Sequence, residues 1–231
     1  MLDQNIYGGI FWIFVLAVYS VFIFFITKRL YDFMIKKNFK QNVAIYFNRK
    51  FIHIFAGGVI VLAVPFVFSN PWYPLFSGIV LAIFLLIAHK TGRILYWFQT
   101  KDNINDVSFC LMWGLAIFIL WWIFGNPWIA IIPPAFIAFG DGITGIVRNI
   151  AFKERKKHII GNIYMMGVCI PIGYYFAYAS TPSIPQWGVI AAIVASFFER
   201  YEFGIIDDNI LVTIGATVIL YIGGILGPIH F

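Results

Sequence analysis

Long apolar runs separated by short polar stretches recur along the whole chain, and their lengths set the first expectation. A helix needs about 20 apolar residues to cross the hydrocarbon core of a bilayer. Such runs lie at about Ile6 to Thr27, Phe51 to Phe68, Tyr73 to Ala88, Val107 to Phe124, Trp128 to Val147, Ile163 to Ala179, Trp187 to Phe198 and Ile210 to Ile229. The runs are punctuated by Ser69-Asn70-Pro71-Trp72, by Gly125-Asn126-Pro127 and by Thr181-Pro182-Ser183-Ile184-Pro185. Gly, Pro, Asn and Ser favour turns, so each of these stretches reverses the chain tightly. The pattern predicts an all-α polytopic membrane protein, a bundle of eight transmembrane helices forming a single domain over residues 1–231.

The charged positions test this parse. If every run crosses, the polar stretches after the first, third, fifth and seventh runs share one side of the membrane, and they hold all 16 Lys and Arg residues. Cytoplasmic loops carry such an excess, which places these stretches inside and both termini outside. A missed or invented span would scatter the basic residues over both faces. Of the 10 acidic residues only Asp3 falls near the outer side, so chemistry built on charge belongs to the inner face.

Composition narrows the class further. With 61% hydrophobic residues, 11% charged residues and a mean hydropathy of +0.88, the chain does not read as a soluble enzyme. The net charge of +6 would suggest nucleic acid in a soluble protein, but here the basic residues sit in loops between spans. Cys110 and Cys169 fall within apolar runs and not at ligand spacing, which indicates neither a zinc site nor a disulfide framework. The first run has no basic stretch before it and no small-residue cleavage site after it, and is expected to remain as a span.

Three groups of polar residues at the inner ends of the spans are candidates for chemistry. Asp141 lies inside an apolar run among Gly140, Gly142 and Gly145, and is followed by Arg148, Lys153, Arg155, Lys156, Lys157, Gly161 and Asn162. A carboxylate at membrane depth is costly and calls for a cation, a metal or a polar cavity. Arg49, Lys50 and His53 open the second span, and the spacing of four puts Arg49 and His53 on one helix face, suited to a phosphate or a hydroxyl. Glu199, Arg200 and Glu202 precede Asp207-Asp208-Asn209 at the head of the last span, a set of hard oxygen ligands suited to magnesium carrying nucleotide phosphates. Each group also has a plain structural reading: a packing Asp beside an orienting loop, snorkelling basic residues with a packed His, and acids that cap a helix. His89-Lys90-Thr91-Gly92-Arg93 reads as the edge of a basic loop.

Taken in order, the three groups resemble the membrane kinases for isoprenoid alcohols, the family of dolichol kinase and phytol kinase, which use CTP as phosphoryl donor. Arg49, Lys50, His53 and Gly57 resemble an early Arg-Lys-x-x-His motif. Gly140-Asp141 through Lys157 and Gly161 resembles a Gly-Asp segment that runs on into Lys-Ser-x-Glu-Gly-Ser, and Glu199 with Asp207-Asp208-Asn209 resembles a late Glu and an Asp-Asp-Asn before the final helix. The likeness spans about residues 49 to 215. The chain departs from it at Lys157-His158-Ile159-Ile160-Gly161-Asn162, where the hydroxyl and the acid are missing. The resemblance implies transfer of a phosphoryl group from a nucleoside triphosphate to a polyisoprenoid alcohol at the cytoplasmic face of the cell membrane. It implies Mg2+ or Mn2+ at Asp141, Asp207 and Asp208, and Asp141 or His53 as acceptor of the alcohol proton. Arg49, Lys50, Arg148, Lys156, Lys157, Gly161, Asn162, Glu199 and Asn209 would then contact nucleotide or substrate. A CTP-dependent lipid cytidylyltransferase would need the same triphosphate, metal and interfacial lipid. A transporter or lipid carrier would instead be expected to hold its acids near the midplane.

Overall fold

With no water to satisfy the backbone at membrane depth, each apolar run must close its hydrogen bonds upon itself, and helices result. The computed structural model describes residues 3–152 and 157–229. Those residues form α1 Asp3–Lys36, α2 Gln41–Val67, α3 Trp72–Lys90, α4 Asn105–Phe124, α5 Pro127–Phe152, α6 Ile159–Ala179, α7 Pro185–Phe198 and α8 Asp208–Leu226. Among them there is no strand beyond a single bridge between Phe203 and Ile206. All but α7 are long and apolar enough to cross a membrane, so the chain is a helical membrane protein with seven such helices.

The seventh apolar run differs from the expectation in length. At 14 residues α7 is roughly 21 Å long, short of a hydrocarbon core of about 30 Å. It nevertheless runs antiparallel to both neighbours. Along α6, Ile184 N donates to Ala177 O, Gly188 lies against Gly173, and Asn162 donates to Ser196 O. Along α8, the Trp187 indole donates to Gly227 O at 2.9 Å and Phe198 packs on Gly215. The glycine pair is what lets α6 and α7 approach: a Cβ on Gly173 would sit 2.4 Å from Gly188 O.

The first polar connector also differs. The helix does not stop near Thr27 but continues to Lys36, and α2 begins at Gln41, well before Phe51. Tyr31 and Met34 pack with Ala44 and Ile45 in a small apolar cluster of their own, which holds this helical hairpin together. Arg49 and Lys50 therefore sit in a helix and not in a loop, and Asn48 bonds Thr27 O at 2.7 Å and Trp97 O at 2.9 Å.

Helix α5 is the central element, with every residue from Ile129 to Ala138 buried. Pro133 and Pro134 interrupt its hydrogen-bond ladder, and a π-helical turn follows at Phe136–Gly140. A second π-helical turn, His53–Gly58, interrupts α2, and a Cβ on its Gly57 would lie 3.9 Å from Ala138 Cβ. Such turns shift the face a helix presents and recur at functional sites. One begins at His53, and the other ends just before Asp141.

Candidate functional site

Helices α2 and α5 meet through one buried ion pair. Lys50 Nζ donates to both carboxylate oxygens of Asp141 at 2.6 Å, answering the need of a carboxylate at this depth for a cation. Gly145 makes the contact possible, since a Cβ there would lie 2.4 Å from Lys50 Cε. Tyr46, one turn before Lys50, places its ring 5.3 Å from the ammonium. His53 Nδ1 is 3.3 Å from Asp141 Oδ2, yet it makes no hydrogen bond, and its ring stacks on Phe109 at 4.0 Å.

A second ion pair joins α5 to the end of α7. Arg148 is 1% exposed and forks onto Glu199, with Nη1 to Oε1 at 2.7 Å and Nη2 to Oε2 at 2.8 Å. Its Nε and Nη2 also donate to His158 O at 3.1 and 2.9 Å, and Nη2 reaches Asn162 Oδ1 at 3.3 Å. Gly161 leaves room for the guanidinium, because a Cβ there would lie 2.3 Å from Arg148 Nε. Arg148, Gly161 and Asn162 thus form one bracket around Glu199 instead of lining the cleft. Burial pushes the Glu199 carboxyl above its ordinary value, against the pull of Lys157 and Arg148.

Lys157 closes the arrangement from the loop before α6. Its Nζ donates to Asp208 Oδ2 at 2.5 Å, to Glu199 O at 2.7 Å and to Glu199 Oε1 at 3.1 Å, with Glu202 Oε1 at 3.2 Å. Burial alone would lower the pKa of this ammonium, but Asp208 and Glu199 outweigh it and hold the group charged well above the ordinary lysine value. Lys156 lies outside the described residues.

The two adjacent aspartates at the head of α8 divide the work. Asp207 is the helix cap: Oδ1 accepts from Ile210 N at 3.1 Å, and Oδ2 accepts from the Ser108 hydroxyl and from Asn209 Nδ2. Burial, with the charge of Asp208, raises its pKa to about 6, although the Ser108 bond opposes the shift. Asp208 instead faces Lys157. Asp141, Glu199 and Asp208 each bring a carboxylate oxygen within 4.8 Å of the other two, and all three residues are buried. The third acid of the cluster is therefore Glu199, and Asp207 is turned away from it.

Beside these acids lies a small cleft of about 20 Å3, lined by Tyr46, Arg49, Lys50, His53, Asn105, Asp141, Lys157, Asp208 and Asn209. Arg49 reaches it from α2, held by Asn103 Oδ1 at 3.1 Å. Tyr46, Asn105 and Ser108 were not singled out by the sequence. Tyr46 could have been, since it lies four residues before Lys50 on the same helix face, but nothing in the sequence marks Asn105 or Ser108. The cleft can receive an anion at its basic rim and a cation at its acidic floor. Compared with models of known protein families, with curated proteins and with solved structures, the chain matches none.

Proposed function

We propose that this protein is a membrane phosphotransferase that moves the terminal phosphoryl group of a nucleoside triphosphate, CTP by the motif resemblance, to the hydroxyl of a polyisoprenoid alcohol. The observation that carries this reading is the convergence of Asp141, Glu199 and Asp208, two of which line a cleft together with Arg49, Lys50 and Lys157. Phosphoryl transfer needs little covalent help from a protein; it needs charge neutralisation and an aligned acceptor. The segregation of all 16 basic residues supports eight crossings, with both termini outside and the cleft at the cytoplasmic face of the cell membrane.

The donors present fit a hard divalent cation. Three carboxylates meet, and the amide oxygen of Asn209 beside them is buried without a hydrogen bond. Mg2+ or Mn2+ held by Asp141, Glu199 and Asp208 would neutralise charge on the triphosphate. Arg49 and Lys50 draw the phosphates to the cleft. His53, which lines the cleft with its Nδ1 3.3 Å from Asp141 Oδ2, takes the proton as the alcohol oxygen bonds to the terminal phosphorus. The bond from that phosphorus to the bridging oxygen breaks, and the nucleoside diphosphate leaves. The prenyl tail stays in the bilayer, which accounts for a kinase built among spans.

Purified protein incubated with CTP labelled at the terminal phosphate and a panel of prenols and phospholipid acids tests the reading. The expected products are labelled prenyl phosphate and CDP. Release of labelled pyrophosphate with a cytidylyl lipid would identify a cytidylyltransferase instead, and no turnover with any prenol or phospholipid would remove the enzyme reading.

A further inference from the structure

Lys157 has surroundings that differ from those of every other lysine on the described part of the cleft. Its ammonium faces four oxygens: the Glu199 carbonyl at 2.7 Å, Glu199 Oε1 at 3.1 Å, Asp208 Oδ2 at 2.5 Å and Glu202 Oε1 at 3.2 Å. An ammonium has three protons, so four oxygen neighbours exceed what it can serve with separate hydrogen bonds. A shell of carboxylates and a backbone carbonyl is, by contrast, the usual surrounding of a hard divalent cation. A second observation is independent of these acids. Asn209 is 2% exposed, its Nδ2 is committed to Asn105 O at 2.9 Å and Ser108 Oγ at 3.2 Å, and its Oδ1 is buried with no partner. Asn209 lines the cleft together with Lys157 and Asp208, and its unpartnered oxygen lacks a cation or a donor.

We infer that Lys157 is a tethered occupant of the cation seat: its ammonium holds the place among Asp208, Glu199 and Glu202, and a divalent cation complexed with a polyphosphate displaces it. The inference rests on the reading of this cluster as a cation site. Position explains why Lys157 is the group that leaves. Its side chain is 26% exposed and belongs to the loop before α6, whereas that of Lys50 is 8% exposed and fixed within α2 against Asp141 and Tyr46. Charge explains what displaces it. Asp141, Glu199 and Asp208 are already matched by Lys50, Arg148 and Lys157; Glu202 is a further acid at this seat, but a bare divalent cation brings more positive charge than it offsets. A cation that arrives with phosphates brings the anion that the displaced ammonium then meets at the rim. The lysine therefore disfavours the bare metal and couples metal binding to the polyphosphate.

Mn2+ binding read by electron paramagnetic resonance tests this without any turnover. The proteins are the wild type, Lys157→Gln, Lys157→Ser and Asp208→Asn, each with Mn2+ alone and with Mn2+ plus inorganic triphosphate. Removing an occupant that fills the seat about nine-tenths of the time raises apparent affinity roughly tenfold. Both Lys157 variants should therefore bind Mn2+ alone roughly tenfold more tightly than the wild type and gain less from triphosphate, while Asp208→Asn should bind poorly in both conditions. Two replacements of different size guard against misfolding of either, and thermal midpoints report it. Unchanged or weaker Mn2+ binding in folded Lys157 variants, with Asp208→Asn still defective, would overturn the displacement and leave the cation site standing. Absence of Mn2+ binding in the wild type with triphosphate would overturn both.

Discussion

Arg148→Met distinguishes a residue that braces the site from one that grips the nucleotide. The guanidinium is 1% exposed and engages Glu199 twice, at 2.7 and 2.8 Å, and also bonds His158 O and Asn162 Oδ1. Methionine keeps much of the stem volume but strips Glu199 of its fork and leaves the His158 carbonyl without the two donations from Arg148. Removing one partner of a buried ion pair typically costs about 3–5 kcal/mol. Lys157 still faces Glu199 at 3.1 Å, so the loss should fall near the lower end, about 3 kcal/mol. Arg148→Lys keeps the charge and gives up the fork, for a smaller loss of about 1.5 kcal/mol. In the double variant Arg148→Met/Glu199→Leu no buried charge is stranded, and it should recover about 2 kcal/mol over Arg148→Met alone. Reversible unfolding in mixed micelles, followed by circular dichroism, measures all four proteins. Stability of Arg148→Met within 0.5 kcal/mol of the wild type, on the scale of an inconsequential surface change, together with a raised KM for CTP, would show that Arg148 serves the nucleotide directly and that the bracing argument is wrong.

Two further outcomes follow from the packing and the charge pattern. Gly173→Ala should destabilise the protein by about 1–3 kcal/mol, because its Cβ would meet the backbone oxygen of Gly188, which cannot rotate away. Gly167→Ala on the same helix has open space and should be neutral or slightly stabilising in the same unfolding assay, and equal effects at the two sites would refute the close approach of α6 and α7. Cysteines at the exposed Ser69 and Ser183 should react with an impermeant reagent applied to intact cells, while one at the exposed Asp102 should not. Labelling at Asp102 with protection at Ser69 would invert the orientation.

The apolar runs were legible because hydrocarbon tolerates nothing else, but their ends were not. The helix that begins in α1 reaches Lys36 because Tyr31 and Met34 find Ala44 and Ile45, a tertiary contact that run length does not report. The two π-helical turns were equally invisible, since one extra residue per turn barely alters an apolar pattern. At the site, residue types pointed to Asp141, Lys50, His53, Glu199 and Asp208. The pairings escaped, because Lys50 meets Asp141 across 91 residues and Arg148 meets Glu199 across 51. Nor could the sequence say which of two adjacent aspartates caps α8, a choice settled by Ser108 on α4.

The ion pairs that shape the site also fasten the bundle, and this bears on how any ligand enters it. Lys50 with Asp141 joins α2 to α5, Arg148 with Glu199 joins α5 to the end of α7, and Lys157 with Asp208 joins the loop before α6 to α8. The first two pairs are shielded from water, so a charge left without a partner there costs far more than at a soluble surface, while the Lys157 side chain is partly exposed. A cation or phosphate added to such a set cannot simply fill space; an existing partner must be released or a new counter-charge must arrive with it. Of the three basic partners, Arg148 is locked by His158 and Asn162, and Lys50 lies beneath Tyr46, which leaves Lys157 at the mouth as the group whose exchange disturbs the fold least.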